Sequence, residues 1–312
     1  MSATLPNLAI AAAPLLAALL DRAFGEPRNA LHPVAGFGAL AKRVGAPLPA
    51  LAPPAALCGG ALAWALLVGG VALLAAGLQT WLLSLPAWAA LPLLALALKP
   101  ALAWRMLHDE VAAVETALAR DLPQGRARVA RLCSRDVSRL DATGVRETAL
   151  ETLAENLNDA WVAPLFWFAV AGLPGAWAWR AANTLDAMWG YRGRWEWAGR
   201  CAARADDLLA WLPARLTALL LGAPRGLRAE AARTPSPNGG WPMAALALRL
   251  GLRLRKPGAY ELNTGGRSPR PADTAQALRL CTRAAWLAVG WAVVLAAAVA
   301  AAAALRNPGA AA

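Results

Sequence analysis

The sequence predicts an all-α, polytopic integral membrane protein with large cytoplasmic helical loops and one re-entrant hairpin, a single membrane-embedded domain over residues 1–312. Three observations predict it. Apolar residues make up 58% of the chain and charged residues only 16%, against roughly 25% charged in an ordinary soluble domain. Several apolar runs approach or exceed the ~20 residues that a spanning helix needs. The polar stretches between them are long and rich in arginine, which gives a formal net charge of +12 and matches the cytoplasmic bias of basic loops in membrane proteins.

The first apolar run, 5–20, is bounded sharply by Asp21 and Arg22. It lacks a basic leading segment, so it reads as a retained membrane helix and not a cleaved signal. The polar stretch 21–49, containing FGEPRNALHPVAGFG, is rich in Pro and Gly and reads as a shaped loop, not a helix. Runs 55–78 and 81–104 form an antiparallel hairpin of membrane helices joined tightly around Ser84 and Pro86. The last run, 284–305, is a further spanning helix. Between these lie two hydrophilic units, 105–159 and 222–282, and two ambiguous segments. Segment 161–182 is divided by Gly172, Pro174 and Gly175. It either re-enters or spans; such backbone is tolerated at membrane depth only where protein or a cavity surrounds it. Segment 206–221 carries Pro213 and Arg215 mid-run and reads as amphipathic or partly immersed. The arginines of 222–283 place that unit in the cytoplasm, with both termini outside.

No zinc-finger, RNP-type or helix-turn-helix pattern accompanies the positive charge, so nucleic acid is not the expected partner; lipid and a phosphate-bearing substrate are. Cys58, Cys133, Cys201 and Cys281 are scattered, without CxxC spacing or a nearby histidine pair. They read as buried small apolar residues. No P-loop, HExxH, GxSxG or GxGxxG pattern occurs.

The chain is organised around 147–190. Glu147, Glu151, Glu155 and Asp159 recur every four residues, on one side of a helix. Like charges at that spacing repel. They are therefore paired with arginines, solvated, or gathered around a cation. Asn156 and Asn158 bring amides to the same end, and Asn183 and Asp186 follow after the apolar stretch. Oxygen donors of this kind suit magnesium, which retains water and bridges substrate phosphates; they also suit a salt-bridged helix seam. Glu155 and Asp159 stand out because they sit against the apolar edge. Arg135 belongs to a basic run, Arg126 to Arg139, whose alternatives are a solvated or headgroup-facing surface and phosphate binding. SPNGGWP at 236–242 reads either as a helix start capped by Asn238 or as a rigid anion-binding loop. His32 before Pro33 is either a proton carrier or a turn cap. Lys256 reads as a surface cation, and His108 as structural or solvent-facing.

On DRAFGEPRNALHPVAGFG (21–38), SRDVSRLD (134–141), ETLAENLNDAWVAPLFWFAVAGLPGA (151–176), NTLDAMWGYR (183–192) and SPNGGWP (236–242), the chain resembles the adenosylcobinamide-phosphate synthase family, the CobD/CbiB group of cobalamin biosynthesis. These pieces follow one another in family order. The resemblance implies an inner-membrane ligase with its site toward the cytoplasm. It would use ATP and Mg2+ to join adenosylcobyric acid, its adenosylcorrinoid substrate, to (R)-1-amino-2-propanol or the O-phosphate of that amine. It further implies catalytic roles for Glu155, Asp159, Glu151 and Asp186, with Glu155 and Asp159 as metal ligands. Arg135 and Arg192 would contact phosphates, and His32, Asn156, Asn158, Asn183 and Asn238 would line the site. Association with other late-pathway membrane enzymes and with a second copy of the chain belongs to the same expectation. Two details depart from the family pattern: NGGW replaces the usual NAGW, and Met243 stands where an acid is common. A transporter of a corrinoid or other anionic solute, and a non-catalytic subunit of a biosynthetic complex, are the readings from other classes. A transporter predicts repeated helices, and no internal repeat is visible.

Overall fold

The computed structural model describes residues 4–27 and 29–306; Arg28 of the first motif and the two chain ends of the 1–312 domain lie outside the described residues. The fold is all-α apart from one small hairpin. Four helical runs among the described residues are long and apolar enough to cross a membrane: Pro53–Leu83, Ala87–Leu118, Ala142–Trp189 and Pro271–Ala302. The chain divides into two compact units.

Unit 1 comprises 1–103, 163–209 and 289–312. It holds α1 (Thr4–Phe24), α2 (Pro33–Gly45), α3 (Pro53–Leu83), α4 (Ala87–Leu98), α8 (Ala163–Trp189) and α9 (Arg200–Leu209). The α3–α4 hairpin turns at Ser84 as the sequence predicts, but Trp81 belongs to α3. The expectation of a loop over 21–49 is overturned: PVAGFGALAKRVG is helix α2. Pro33 occupies its first turn, where a missing N–H costs nothing, and His32 caps it by accepting a hydrogen bond from the Val34 amide at 3.2 Å. Those two signals outweigh the helix-weakening glycines. The core of this unit gathers Ala41, Ala56, Ala63 and Val68 against Leu185, Trp189 and Ala198.

Within α8 the backbone breaks at Gly172, with φ 67° and ψ −154°. A straight helix would separate residues eight apart by ~12 Å. Here a side-chain carbon built on Gly175 would overlap the carbonyl oxygen of Trp167. The chain therefore folds back on itself, in keeping with the hairpin that Gly172, Pro174 and Gly175 predict. Gln79 of α3 fills the break, and its Oε1 accepts from the Leu173 amide at 2.7 Å.

Unit 2 comprises 104–162 and 210–288, and so takes in both hydrophilic stretches. It contains α5 (Trp104–Leu118), α6 (Leu122–Val129), α7 (Ala142–Leu157), α10 (Trp211–Leu220), α11 (Leu227–Ala231) and α12 (Gly240–Leu250). It also holds the strands β1 (Leu254–Lys256) and β2 (Tyr260–Leu262), antiparallel with Leu254 opposite Leu262. Helix α13 (Pro271–Arg306) begins here, thirteen residues before the predicted membrane run, and its later turns belong to unit 1. Its start is fixed by Arg267, which makes two 2.6 Å bonds to Asp273. Segment 206–221 is two helices, α9 and α10, parted at Ala210. All four cysteines are free; Cys281 is buried, but Cys58 on α3 is exposed, contrary to the expectation of burial.

Candidate functional site

Helix α7 starts at Asp141, whose carboxylate accepts from the Gly144 amide at 2.7 Å, a standard N-cap. Its end runs into a π-helical turn, Asn158–Val162; such turns are frequent at functional sites. Between them stand the acids. The uncharged stretch that follows, 160–179, is the part of the Ala142–Trp189 run suited to hydrocarbon, so the acids lie outside the membrane-spanning segment.

The first two acids are buried and paired. Glu147 is fully buried, and its Oε2 accepts from Arg255 of β1 at 3.4 Å. Glu151 accepts from Arg135 at 2.8 Å and from the hydroxyl of Tyr260 on β2. Arg135 also donates to Thr148 at 3.2 Å. Burial pushes the Glu147 carboxyl up to about 7 despite Arg255, and raises Glu151 despite Arg135. The Tyr260 hydroxyl is pushed up by burial, then by Glu151 and Glu155. Of the three readings left by the four-residue spacing, pairing with arginine accounts for Glu147 and Glu151.

Glu155 differs. Solvent reaches its side chain, and among the described residues no donor is hydrogen-bonded to it. Protein nonetheless surrounds it, as expected for a carboxylate on the wall of an opening. Loss of bulk water, then the charges of Asp159 and Glu151, push its carboxyl up to about 7, against the pull of Lys256 and Arg135. Burial is the largest cause, and the two neighbouring acids add to it.

The SPNGGWP loop borders this carboxylate. A side-chain carbon built on Gly239 would come 3.1 Å from Glu155 Oε1, so any larger residue there would crowd the carboxylate. Ser236 shapes the loop by accepting from the amides of Asn238 at 3.2 Å and Gly239 at 3.0 Å. Asn238 does not cap α12, as the sequence suggests it can. Its Oδ1 accepts from Arg215 of α10 at 2.6 Å, and the Arg215 guanidinium lies between the rings of Trp211 and Trp241, 4.5 and 4.6 Å from their centroids. Two residues further along α10, Thr217 donates to Asn158 Oδ1 at 3.0 Å, and Asn158 in turn donates to Asp159 at 2.8 Å. Helix α10 thus holds both the loop and the π turn.

Unit 2 therefore brings together Arg135, Glu151, Glu155, Asn158, Asp159 and Asn238. Asn156 is spent locally, donating to the Thr152 carbonyl at 3.1 Å. The remaining predicted residues belong to unit 1. His32 caps α2, and its Nε2 stands 2.6 Å from Glu26, which accepts from Lys99 at 2.8 Å. Asn183 donates to Asp206 at 3.2 Å. The Asp186 carbonyl accepts from the Gly190 amide at 2.7 Å. Arg192 is exposed on a cavity of about 390 Å³ with Arg200 and Arg204.

Sequence reasoning missed Arg255, Tyr260, Arg215 and Thr217. The alternation LRLRK before Pro257-Gly258 and AYEL after it was a hairpin signal, and it would have delivered the first two. Nothing local marks Thr217, and Arg215 is marked only as a charge in the middle of an apolar run.

The donors suit a magnesium ion. Glu155 and Asp159 are hard oxygen ligands one helical turn apart, and their mutual repulsion, visible in the raised Glu155 carboxyl, is what a cation would relieve. Among the described residues no cluster of three or more His, Cys, Asp or Glu forms a complete cage. Magnesium needs none, since it binds through one or two carboxylates plus substrate phosphates.

Comparison with known proteins identifies the family. The family model described as CobD/Cbib protein matches residues 14–288. The cobalamin biosynthesis protein CobD of Chromobacterium violaceum is 42% identical over 306 residues, covering 91% of this chain and 95% of its own. That of Rhodobacter capsulatus is 44% identical over 236 residues, 70% and 74% of the two chains. The probable cobalamin biosynthesis protein CobD of Pyrococcus furiosus is 38% identical over 269 residues, 85% and 91%. No solved structure matches.

Proposed function

The chain belongs to the CobD/CbiB family of cobalamin biosynthesis, and from that premise we propose that it is an ATP-dependent amide ligase of the inner membrane. It joins the free propionate of adenosylcobyric acid to (R)-1-amino-2-propanol O-phosphate, or to the free amino alcohol. A carboxylate is a poor acyl donor, which is why ATP is required. The propionate oxygen takes the terminal phosphoryl group, ADP departs, and an acyl phosphate results. The neutral amine then attacks the carbonyl carbon: the C–N bond forms, the C–O bond to phosphate breaks, and the amine sheds a proton.

One observation carries the reading: an unpaired, solvent-reachable carboxylate, Glu155, held near neutrality beside Asp159 and faced by Arg135, Lys256 and a glycine-lined loop. Glu155 and Asp159 are the residues that would hold Mg2+, which when bound neutralises charge on the nucleotide phosphates. Arg135, fixed by Glu151 and Thr148, and Lys256 present positive charge to anionic reactants. The Ser236-ordered loop offers amide groups to the same reactants. The arginine-rich 222–283 stretch puts unit 2 on the cytoplasmic side.

The test is ATP hydrolysis by purified protein with adenosylcobyric acid and each amine, with products identified by mass spectrometry. Hydrolysis that requires both acid and amine, with a product of the amide mass, supports the ligase. Hydrolysis indifferent to either partner, or none at all, rejects it.

A further inference from the structure

A second cavity of unit 1 adjoins the one at Arg192, with which it shares Trp195. It has a volume of about 590 Å³ and is lined by Pro49, Met188, Trp189 and Trp195, with Lys42 and Arg194 on its walls. Its apolar wall is well ordered by packing: Trp189 and Trp195 stack at 5.7 Å with their planes 12° apart, and Trp189 is held against Gly45 of α2. Arg194 lies over Trp195, 5.7 Å from the ring centroid. Lys42 and Arg194 are both exposed, and among the described residues neither has a carboxylate within ion-pair distance. An apolar, aromatic cavity crowned by two uncompensated cations fits a molecule that is itself half apolar and half anionic.

Its place in the chain identifies the molecule. Pro49 lies four residues before α3, the 31-residue apolar helix. Exposed Leu51 follows, and the outward side of α3 continues with exposed Leu62, Leu66, Leu73 and Leu74. The cavity is therefore at the level where a membrane helix leaves hydrocarbon, the layer in which tryptophan, lysine and arginine anchor proteins to headgroups. We infer that this cavity is a binding site for one anionic phospholipid, its phosphate between Lys42 and Arg194 and its glycerol end against Pro49 and Met188, with the buried Trp189–Trp195 stack as the floor. The site is independent of the ligase reading, because none of its residues serves the reaction proposed above.

The experiment is lipid retention. Full-length protein in phosphatidylcholine nanodiscs containing a minority of phosphatidylglycerol is released into the gas phase, and bound lipids are counted by native mass spectrometry. Wild type is expected to retain a single phosphatidylglycerol in preference to phosphatidylcholine. Each of Lys42→Gln and Arg194→Gln should weaken retention about fivefold, the effect of one basic residue at a headgroup. Arg43→Gln, which removes a neighbouring α2 charge outside the cavity, should leave retention intact. Equal retention of the zwitterionic lipid, equal loss in Arg43→Gln, or full displacement by inorganic phosphate would each overturn the assignment. Lys42 is exposed, so its variant keeps the test valid if Arg194→Gln fails to fold.

Discussion

The Arg215 guanidinium donates to Asn238 Oδ1 at 2.6 Å while lodged between Trp211 and Trp241. It also donates to the Pro237 carbonyl at 3.2 Å. One side chain thus sets the position of the loop that flanks Glu155. A lysine there keeps the charge but loses the planar fork and much of the stacking, worth ~1 kcal/mol per aromatic face. Arg215→Lys should raise KM for the substrates by about tenfold with a smaller effect on kcat. Hydrogen exchange of the 236–240 amides should quicken in parallel. Unchanged exchange would show that the loop is held by Ser236 alone.

Glu155→Gln removes a titrating oxygen without altering shape. Ligase turnover should fall by ~10²-fold or more, with the melting temperature kept or raised, since a source of repulsion has gone. Glu151→Gln should behave differently: it leaves the Arg135 charge half-buried and uncompensated, costing roughly 3 kcal/mol of stability. Steady-state kinetics beside thermal melts separates the two.

Glu147 gives a pH signature. Its folded carboxyl titrates at about 7, above the ordinary ~4.5, so the folded state holds the proton more tightly than the unfolded state. The unfolded chain has released it once pH passes ~4.5, and the folded chain only near 7. Stability should therefore fall as pH rises through that window, by on the order of 3 kcal/mol, and then level off. Glu147→Gln should flatten this slope, as measured by melting temperature in detergent from pH 5 to 8. An unaltered slope would assign it to another group.

Gly172→Ala should be severely destabilising. The φ of 67° belongs to the left-handed region, and an added methyl would overlap Gln79. The partner change, Gln79→Leu, strands the Leu173 amide at a cost of ~1–3 kcal/mol. Melting temperatures of both variants check this, and a double variant no worse than Gly172→Ala alone is expected because both act on one contact.

Much of this was legible in the sequence because it is local. Gly172, Pro174 and Gly175 announce a break, Asp141 announces a helix start, and the acids announce their shared side at four-residue spacing. What spacing could not tell was which acid stays unpaired. That depends on Arg135, Arg255 and Tyr260, and Arg255 lies 108 residues from Glu147 along the chain. Helix α2 reads as a loop because the prolines and glycines of 21–49 both count against a helix, whereas Pro33 directly after His32 marks a helix start. The cap open to Asn238 is not made, for a related reason. Its neighbour Ser236 bonds the two loop amides, which leaves the asparagine oxygen for a distant arginine.

The fold-back at Gly172 also bears on how anything could move through this protein. Broken helices in transporters leave main-chain dipoles open to the solute they carry. Here the Leu173 amide is already taken by a glutamine of another helix. Parting the two would expose an amide to surroundings that offer it no partner, so the crease works as a fixed brace rather than a turnstile.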